Sequence, residues 1–203
     1  MNCTVIFAMI DVYKTITDEI GEGFYSEKRS KFLAFSHHVT TKEEVKEITE
    51  QYKKKYYDAR HVCWAYVLGA ERTDFRCNDD GEPSSTAGKP ILGQINSNEL
   101  TDILIVVVRY YGGINLGTSG LIVAYKTAAS DAINHSTIEE RIVEQLVTFE
   151  FPYVMMNSVM RIIKEMQPRI VEQTFDNTCN MTLAIKKTEA ELLKKRLDHL
   201  AFE

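Results

Sequence analysis

Asp79, Asp80 and Glu82 place three carboxylates within one short stretch, on turn-forming chemistry that continues through Gly81, Pro83, Ser84 and Ser85. Carboxylates grouped like this could hold a magnesium ion, which takes a few carboxylates and keeps several waters. Further along, Arg109-Tyr110-Tyr111-Gly112-Gly113 is followed by Gly117-Thr118-Ser119-Gly120. Paired glycines let the chain turn tightly with little side-chain bulk. A helix opening at Gly117 would present unpaired amides and partial positive charge, which is a seat for an anion. Arg109 and Lys89 would add formal charge to it. Lys28, Arg29 and Lys31 form a second basic group. Amides and cations of this kind position phosphates without reading base sequence. Two readings of Arg109 stand side by side. It is the outward-facing cation of an anion seat, or it pairs with Asp79, Asp80 or Glu82 and the glycines only make turns.

Other chemistries fit less well. Gly112 to Thr118 has the spacing of a phosphate-binding loop, but Thr118 stands where lysine is needed, and no G-x-G-x-x-G occurs. His61, Cys63 and Cys77 lack the tight ligand spacing of a zinc site. Ser84 and Ser85 have neighbouring carboxylates but no evident base to activate a nucleophile. His37 and His38 are adjacent on a strand and point to opposite faces. The expectation is therefore a site without metal or cofactor.

The elements that must position these residues follow from patterning. Residues 12–17 and 22–39 read as strands, with Lys28 to Lys31 as a polar interruption. Thr41 and Glu44 form a capping box that opens a helix to about Tyr56, with Val45, Ile48 and Tyr52 on one face. Lys53-Lys54-Lys55 suits the last turn of that helix, where cations complement the dipole. His61 to Gly69 reads as a strand, residues 76–90 as a loop, and Pro90 to Ile95 as a short helix. Ile103 to Val108 is a continuous apolar run, the mark of a central strand buried on both faces. It delivers Arg109 to its end, and a helix from about Thr118 to Asn134 follows. His135-Ser136-Thr137 reads as a joint between domains spanning 1–135 and 138–203. Beyond it, residues 147–151, 155–166, 169–175 and 180–186 read as strand, helix, strand, strand. Thr188 and Glu191 form a second capping box before a last helix. This βαββα order is ferredoxin-like with its closing strand missing.

Bulk properties agree. The chain has 203 residues, 44% hydrophobic and 26% charged, an ordinary globular composition with enough length for two domains. Up to residue 135 there are 15 basic against 18 acidic residues, and 9 against 11 beyond it, so neither half is a basic module. The four cysteines form no C-x-x-C pair, which points to reduced thiols and a cytoplasmic protein. No apolar run approaches the ~20 residues that span a bilayer. Met9, just before strand-like chemistry begins, is the expected first residue in place of Met1.

The block D-D-G-E-P-S-S-T-A-G-K-P-I-L, followed by R-Y-Y-G-G-I-N-L-G-T-S-G-L, closely resembles the signature of the YigZ/Impact family. Both halves occur at the family's separation, and the resemblance runs from Tyr13 through the tail. It implies an α+β chain of two domains. The first is like the second domain of ribosomal protein S5, and the second is like the last, ferredoxin-like domain of translocating elongation factors. It also implies a role in regulating translation, since the eukaryotic Impact proteins act there through protein contacts. This sequence departs from the pattern at four places. Ser85 and Ser119 stand where glycine is usual, Asn115 where lysine is frequent and Val123 where arginine is frequent. Two cations are thus lost from the surface expected to meet phosphate.

The resulting expectation is a non-catalytic binding protein, monomer or homodimer, that contacts RNA, the ribosome or a translation-associated protein. Its candidate residues are Lys28, Arg29, Lys31, Lys89, Arg109, Gly112, Gly113, Gly117, Thr118, Ser119 and Gly120. The alternative is a phosphate-binding enzyme, kinase-like or hydrolytic, using the same face with Asp79, Asp80, Glu82 and magnesium. A third reading is an adaptor that pairs through the open edge of its tail sheet.

Overall fold

The computed structural model describes residues 11–176 and 178–200. The expected start at Met9 concerns residues outside this range. The chain divides into two compact units, one of Tyr13–Arg141 and one in which residues 11–12 join those from Ile142 onward.

The larger unit is built on a five-stranded antiparallel sheet. In chain order its strands are β2 (Gly21–Glu27), β3 (Ser30–His38), β4 (His61–Leu68), β5 (Asp74–Asn78) and β6 (Ile103–Tyr110), arranged β2-β3-β6-β4-β5. The apolar run of β6 lies at the centre, and Ile103 to Val108 are all fully buried. Its alternate residues feed two cores. Ile103, Ile105 and Val107 pack under α2 (Gly88–Ser97) and α3 (Gly117–Asn134), together with Phe32, Ile91, Leu121 and Tyr125. Leu104, Val106 and Val108 face the other way, with Phe35 and Tyr66 and with Val45 and Tyr52 of α1 (Lys42–Lys55). Each such buried branched side chain contributes roughly 1.5–3 kcal/mol. The strand is therefore fixed by both layers at once.

The capping box of α1 forms as expected. Glu44 donates its amide to the Thr41 hydroxyl, and the Glu44 carboxylate accepts from the Thr41 amide. Its face of Val45 and Tyr52 is buried and its lysines lie in the last turn.

Three features differ from the sequence reading. The polar interruption at Lys28 to Lys31 is a hairpin turn, with Lys28 at φ 46° and Arg29 at φ 65°. Two positive φ values match the twist of a two-residue hairpin, usually supplied by Asn-Gly. Part of the expected loop at 76–90 is strand β5, paired with β4 from Asp74 to Asn78. The chain also keeps to the larger unit beyond Thr137, because β7 (Ile138–Ile142) pairs with β1 (Val12–Ile16).

The smaller unit contains β8 (Glu144–Phe151), α4 (Met156–Met166), β9 (Arg169–Phe175), β10 (Cys179–Lys186) and α5 (Lys187–Leu200). The sheet order is β8-β10-β9, antiparallel throughout. Val147, Phe151, Met181 and Leu183 pack against Val159 and Ile162 of α4 and Leu193 and Leu197 of α5. This is the expected ferredoxin-like βαββα arrangement, and among the described residues β8 has β10 as its one strand neighbour. At the start of α5, the Asp11 carboxylate accepts from both the amide and the hydroxyl of Thr188.

Candidate anion-binding cavity

One end of the larger sheet gathers the residues singled out by sequence. The β2–β3 turn, the start of β4, the end of β5 and the end of β6 all lie there, because Ser30 is opposite Glu27, Lys31 is opposite Tyr110, His61 is opposite Arg109, and Trp64 is opposite Asn78. The loops at 79–87 and 111–116 leave from this end and run into α2 and α3.

The carboxylates of the first motif are structural. Asp79 accepts from the amides of Ser85, Ala87 and Gly88, at 2.9, 3.0 and 2.8 Å. Ala87 carries no side-chain cap, so Asp79 supplies from a distance the acceptor that the start of α2 needs. Asp80 accepts from the Val62 amide at 2.7 Å and pairs with Lys53 at 2.7 Å, which ties the loop to β4 and α1. The Asp80 carbonyl accepts from His61 Nδ1 at 2.7 Å, so Nδ1 carries the ring proton. Glu82 is 8% exposed and accepts from Arg109 Nη1 at 2.5 Å and from the Tyr125 hydroxyl at 2.8 Å. Cys63 completes the buried chain, its single S–H within reach of two acceptors, the Asp79 carbonyl at 3.1 Å and the Tyr125 hydroxyl at 3.3 Å. Burial pushes both the Cys63 thiol and the Tyr125 hydroxyl well above their ordinary values. Neither is a nucleophile here, since the thiolate is the reactive form.

Two expectations are thereby corrected. Arg109 is 5% exposed and paired with Glu82, so its guanidinium is not an outward-facing cation. It lies between the rings of Phe32 and Tyr111, at 5.5 and 5.6 Å. Burial of a guanidinium requires a paired carboxylate, and Glu82 meets that need. Asp79, Asp80 and Glu82 do not face one another as magnesium ligands, because their oxygens already hold amides, Lys53 and Arg109. Among the described residues no group of three acidic, histidine or cysteine side chains is placed to hold a metal ion.

A cavity of about 730 Å³ opens beside this buried pair. Its floor is Glu82, Arg109 and His61, with His61 Nε2 at 3.8 Å from Glu82 Oε2. Pro83, Leu116, Leu121 and Tyr111 supply apolar and aromatic walls. Arg60 and the start of α3, Gly117 and Thr118, form its rim. Arg60 is held in place by its amide, which donates to the Arg109 carbonyl at 2.9 Å. Leu116 gives α3 no side-chain cap, and among the described residues no side chain is seen accepting from the opening amides of this 18-residue helix. Gly117 sits at φ 72°, a conformation that favours glycine.

The other singled-out residues are placed differently. Gly112 is committed, donating its amide to Ser30 Oγ at 3.1 Å and lying so close to Arg29 that a Cβ would meet backbone at 2.1 Å. Gly113 turns the exposed loop at φ 85°. Lys28, Arg29 and Lys31 are exposed at the same sheet end without lining the cavity, and so is Lys89 in the first turn of α2. Ser119 and Gly120 lie on α3 just past the rim. Ser85 adopts φ 66°, which explains why glycine suits this position. Sequence reasoning missed Arg60 and the cavity role of His61. Only the pairing of β4 with β6 brings them beside Arg109.

Comparison with known proteins rests on this same region. The Impact N-terminal domain matches residues 28–133, more than half of the chain. IMPACT family member YvyE of Bacillus subtilis is 31% identical over 192 residues, covering 95% of this chain and 88% of that one. The chain belongs to the IMPACT family. A second member, YigZ of Escherichia coli, is 31% identical over 187 residues, covering 91% of this chain and 88% of its own. A crystal structure described as that of a hypothetical protein superposes with a TM-score of 0.70 at 27% identity, covering 95% of this chain and 94% of that one. The IMPACT family match thus extends over both units, and the cavity lies within the segment matched by the domain.

Proposed function

We propose that this IMPACT family member is a non-catalytic, cytoplasmic binding protein of the translation machinery that takes the phosphates of RNA at the loop-bearing end of its larger unit. The observation that carries this reading is the cavity itself, where Arg60 and the uncapped start of α3 meet above a buried Arg109–Glu82 pair. Two guanidiniums against one carboxylate leave the site one net positive charge, and the helix dipole adds to it. Lys28, Arg29 and Lys31 extend the same end with exposed cations. The association with translation comes from the similarity of the Asp79–Leu92 and Arg109–Leu121 blocks to Impact proteins that regulate it. Catalysis is disfavoured because the motif carboxylates are already bonded, and fold likeness alone does not supply an activity.

A specific observation favours a protein partner as the second reading. Ile114, Ile122 and Val123 are exposed beside the cavity, and Val123 stands where arginine is frequent.

Filter binding to structured RNA over a salt series tests the first reading. Affinity that falls steadily with salt supports phosphate contacts, and affinity that is absent or salt-independent contradicts them. Capture of partners from lysate with and without nuclease separates the two. Partners lost on nuclease treatment bind through RNA, and partners retained bind directly.

A further inference from the structure

We propose that the RNA held at the loop-bearing end of the larger unit is single-stranded, either a free strand or the unpaired loop of a structured RNA. This rests on the RNA reading of that end and adds the form of RNA it accepts. Two tyrosine rings carry the argument. Tyr57, in the turn after α1, is 86% exposed, and no other described aromatic ring packs on it. Tyr111, just past β6, is 47% exposed. Both stand at the same sheet end, because Asp58, next to Tyr57, accepts from the hydroxyl of Tyr110, next to Tyr111, at 2.9 Å. Tyr111 is held as a platform. The Arg109 guanidinium lies 5.6 Å from its ring centre, and its hydroxyl donates to Asn115 Oδ1 at 3.2 Å. It also borders an open-sided cavity, which admits a passing strand. One exposed ring on a surface is ordinary. Two at one sheet end, beside unpaired cations, match the stacking platform and positive track that bind single strands. In a duplex each base face is covered by its neighbour, so these rings have nothing to stack on.

The β2–β3 hairpin gives an independent indication. Its tip holds Lys28 at φ 46° and Arg29 at φ 65°, where asparagine and glycine sit without strain. Gly112 fixes the tip in that shape. Its amide donates to Ser30 Oγ at 3.1 Å, and it lies against the Arg29 backbone where no Cβ fits. Backbone strain of this kind clusters where function needs it. What the strain presents is two adjacent cations. Among the described residues no carboxylate pairs with Lys28, Arg29 or Lys31. Lys28, Arg29, Lys31 and Arg60 outnumber Glu27 and Asp58 there, which leaves the surface positive and suited to a polyanion. Stacking and phosphate contacts then set the affinity. A ring stacks any base, so no base preference follows.

The test measures binding of the full chain to an unstructured RNA and to the same strand annealed to its complement, by fluorescence anisotropy over a salt series. The single strand should bind about tenfold or more tightly than the duplex, since base stacking on the rings is lost on pairing. Tyr57→Ala should weaken the single strand about fivefold or more and leave melting temperature, salt slope and duplex affinity unchanged. Tyr57→Phe should keep the affinity of the unaltered chain. The double variant Lys28→Asn with Arg29→Gly relieves the turn and removes two cations. It should melt no lower than the unaltered chain and lower the single-strand salt slope by about 1.4. Duplex bound as tightly as the single strand, or Tyr57→Ala binding as the unaltered chain does, overturns this proposal and leaves the RNA reading intact. An unchanged slope in the hairpin variant also overturns it. Absence of binding to either RNA contradicts both readings.

Discussion

Glu82 is the residue on which the cavity floor depends. It holds Arg109 and Tyr125 together, and all three are buried. Glu82→Gln would leave the guanidinium without its counter-charge and should cost about 3 kcal/mol of stability in urea unfolding. Replacing both partners, as Glu82→Gln with Arg109→Met, should recover much of that loss, since a pair removed together strands no charge. The sequence made this pairing one of two open readings. It could not choose, because Arg109 ends a strand whose neighbours on both sides are distant in the chain. His37 carries a second prediction. Burial lowers its pKa from 6.5 to about 4, beside the Tyr52 hydroxyl at 2.9 Å. The neutral ring is thus favoured by folding. Its contribution is complete above pH 6.5 and is lost as pH falls towards 4, where the unfolded chain takes up the proton first. With allowance for partial exposure, stability should drop by ~2 kcal/mol across that window. His37→Phe should flatten the drop in a pH series of thermal melts.

Among the elements, α2 shows how a loop motif acts through a helix. Asp79 accepts three amides at the start of α2. Asp79→Ala should cost about 2 kcal/mol, at the upper end for a cap. Hydrogen exchange should then rise at Ala87 and Gly88 while β6 stays protected. The central strand, α1 with its capping box and the ferredoxin-like order of the tail were legible because each rests on local pattern. Strand β5 was not. It follows β4 after a short turn and carries Asp74, Arg76 and Asn78, whose polarity reads as loop. Its partner on the β4 edge decides it. The hairpin at Lys28-Arg29 was missed for a similar reason, since two long cations rarely fill positions of positive φ.

At the scale of the molecule, the family was legible from two motifs, and of the candidate site the helix start at Gly117 and Thr118 was legible while Arg60 was not. Those motifs converge because the strand termini meet at one end of the sheet. The chemistry of D-D-G-E-P is spent on holding that end together, and the accessible positive charge falls to Arg60 and the start of α3. Among the described residues no helix is long and apolar enough to cross a membrane. The central claim is that phosphate meets Arg60 and the α3 amides, and not the motif carboxylates. RNA affinity across a salt series, measured for the unaltered chain, for Arg60→Ala and for the exposed control Lys89→Ala, tests this most directly. Arg60→Ala should lower the salt slope by about 1 with an unchanged melting temperature, and Lys89→Ala should leave the slope as it was. An Arg60→Ala slope equal to that of the unaltered chain would contradict the account.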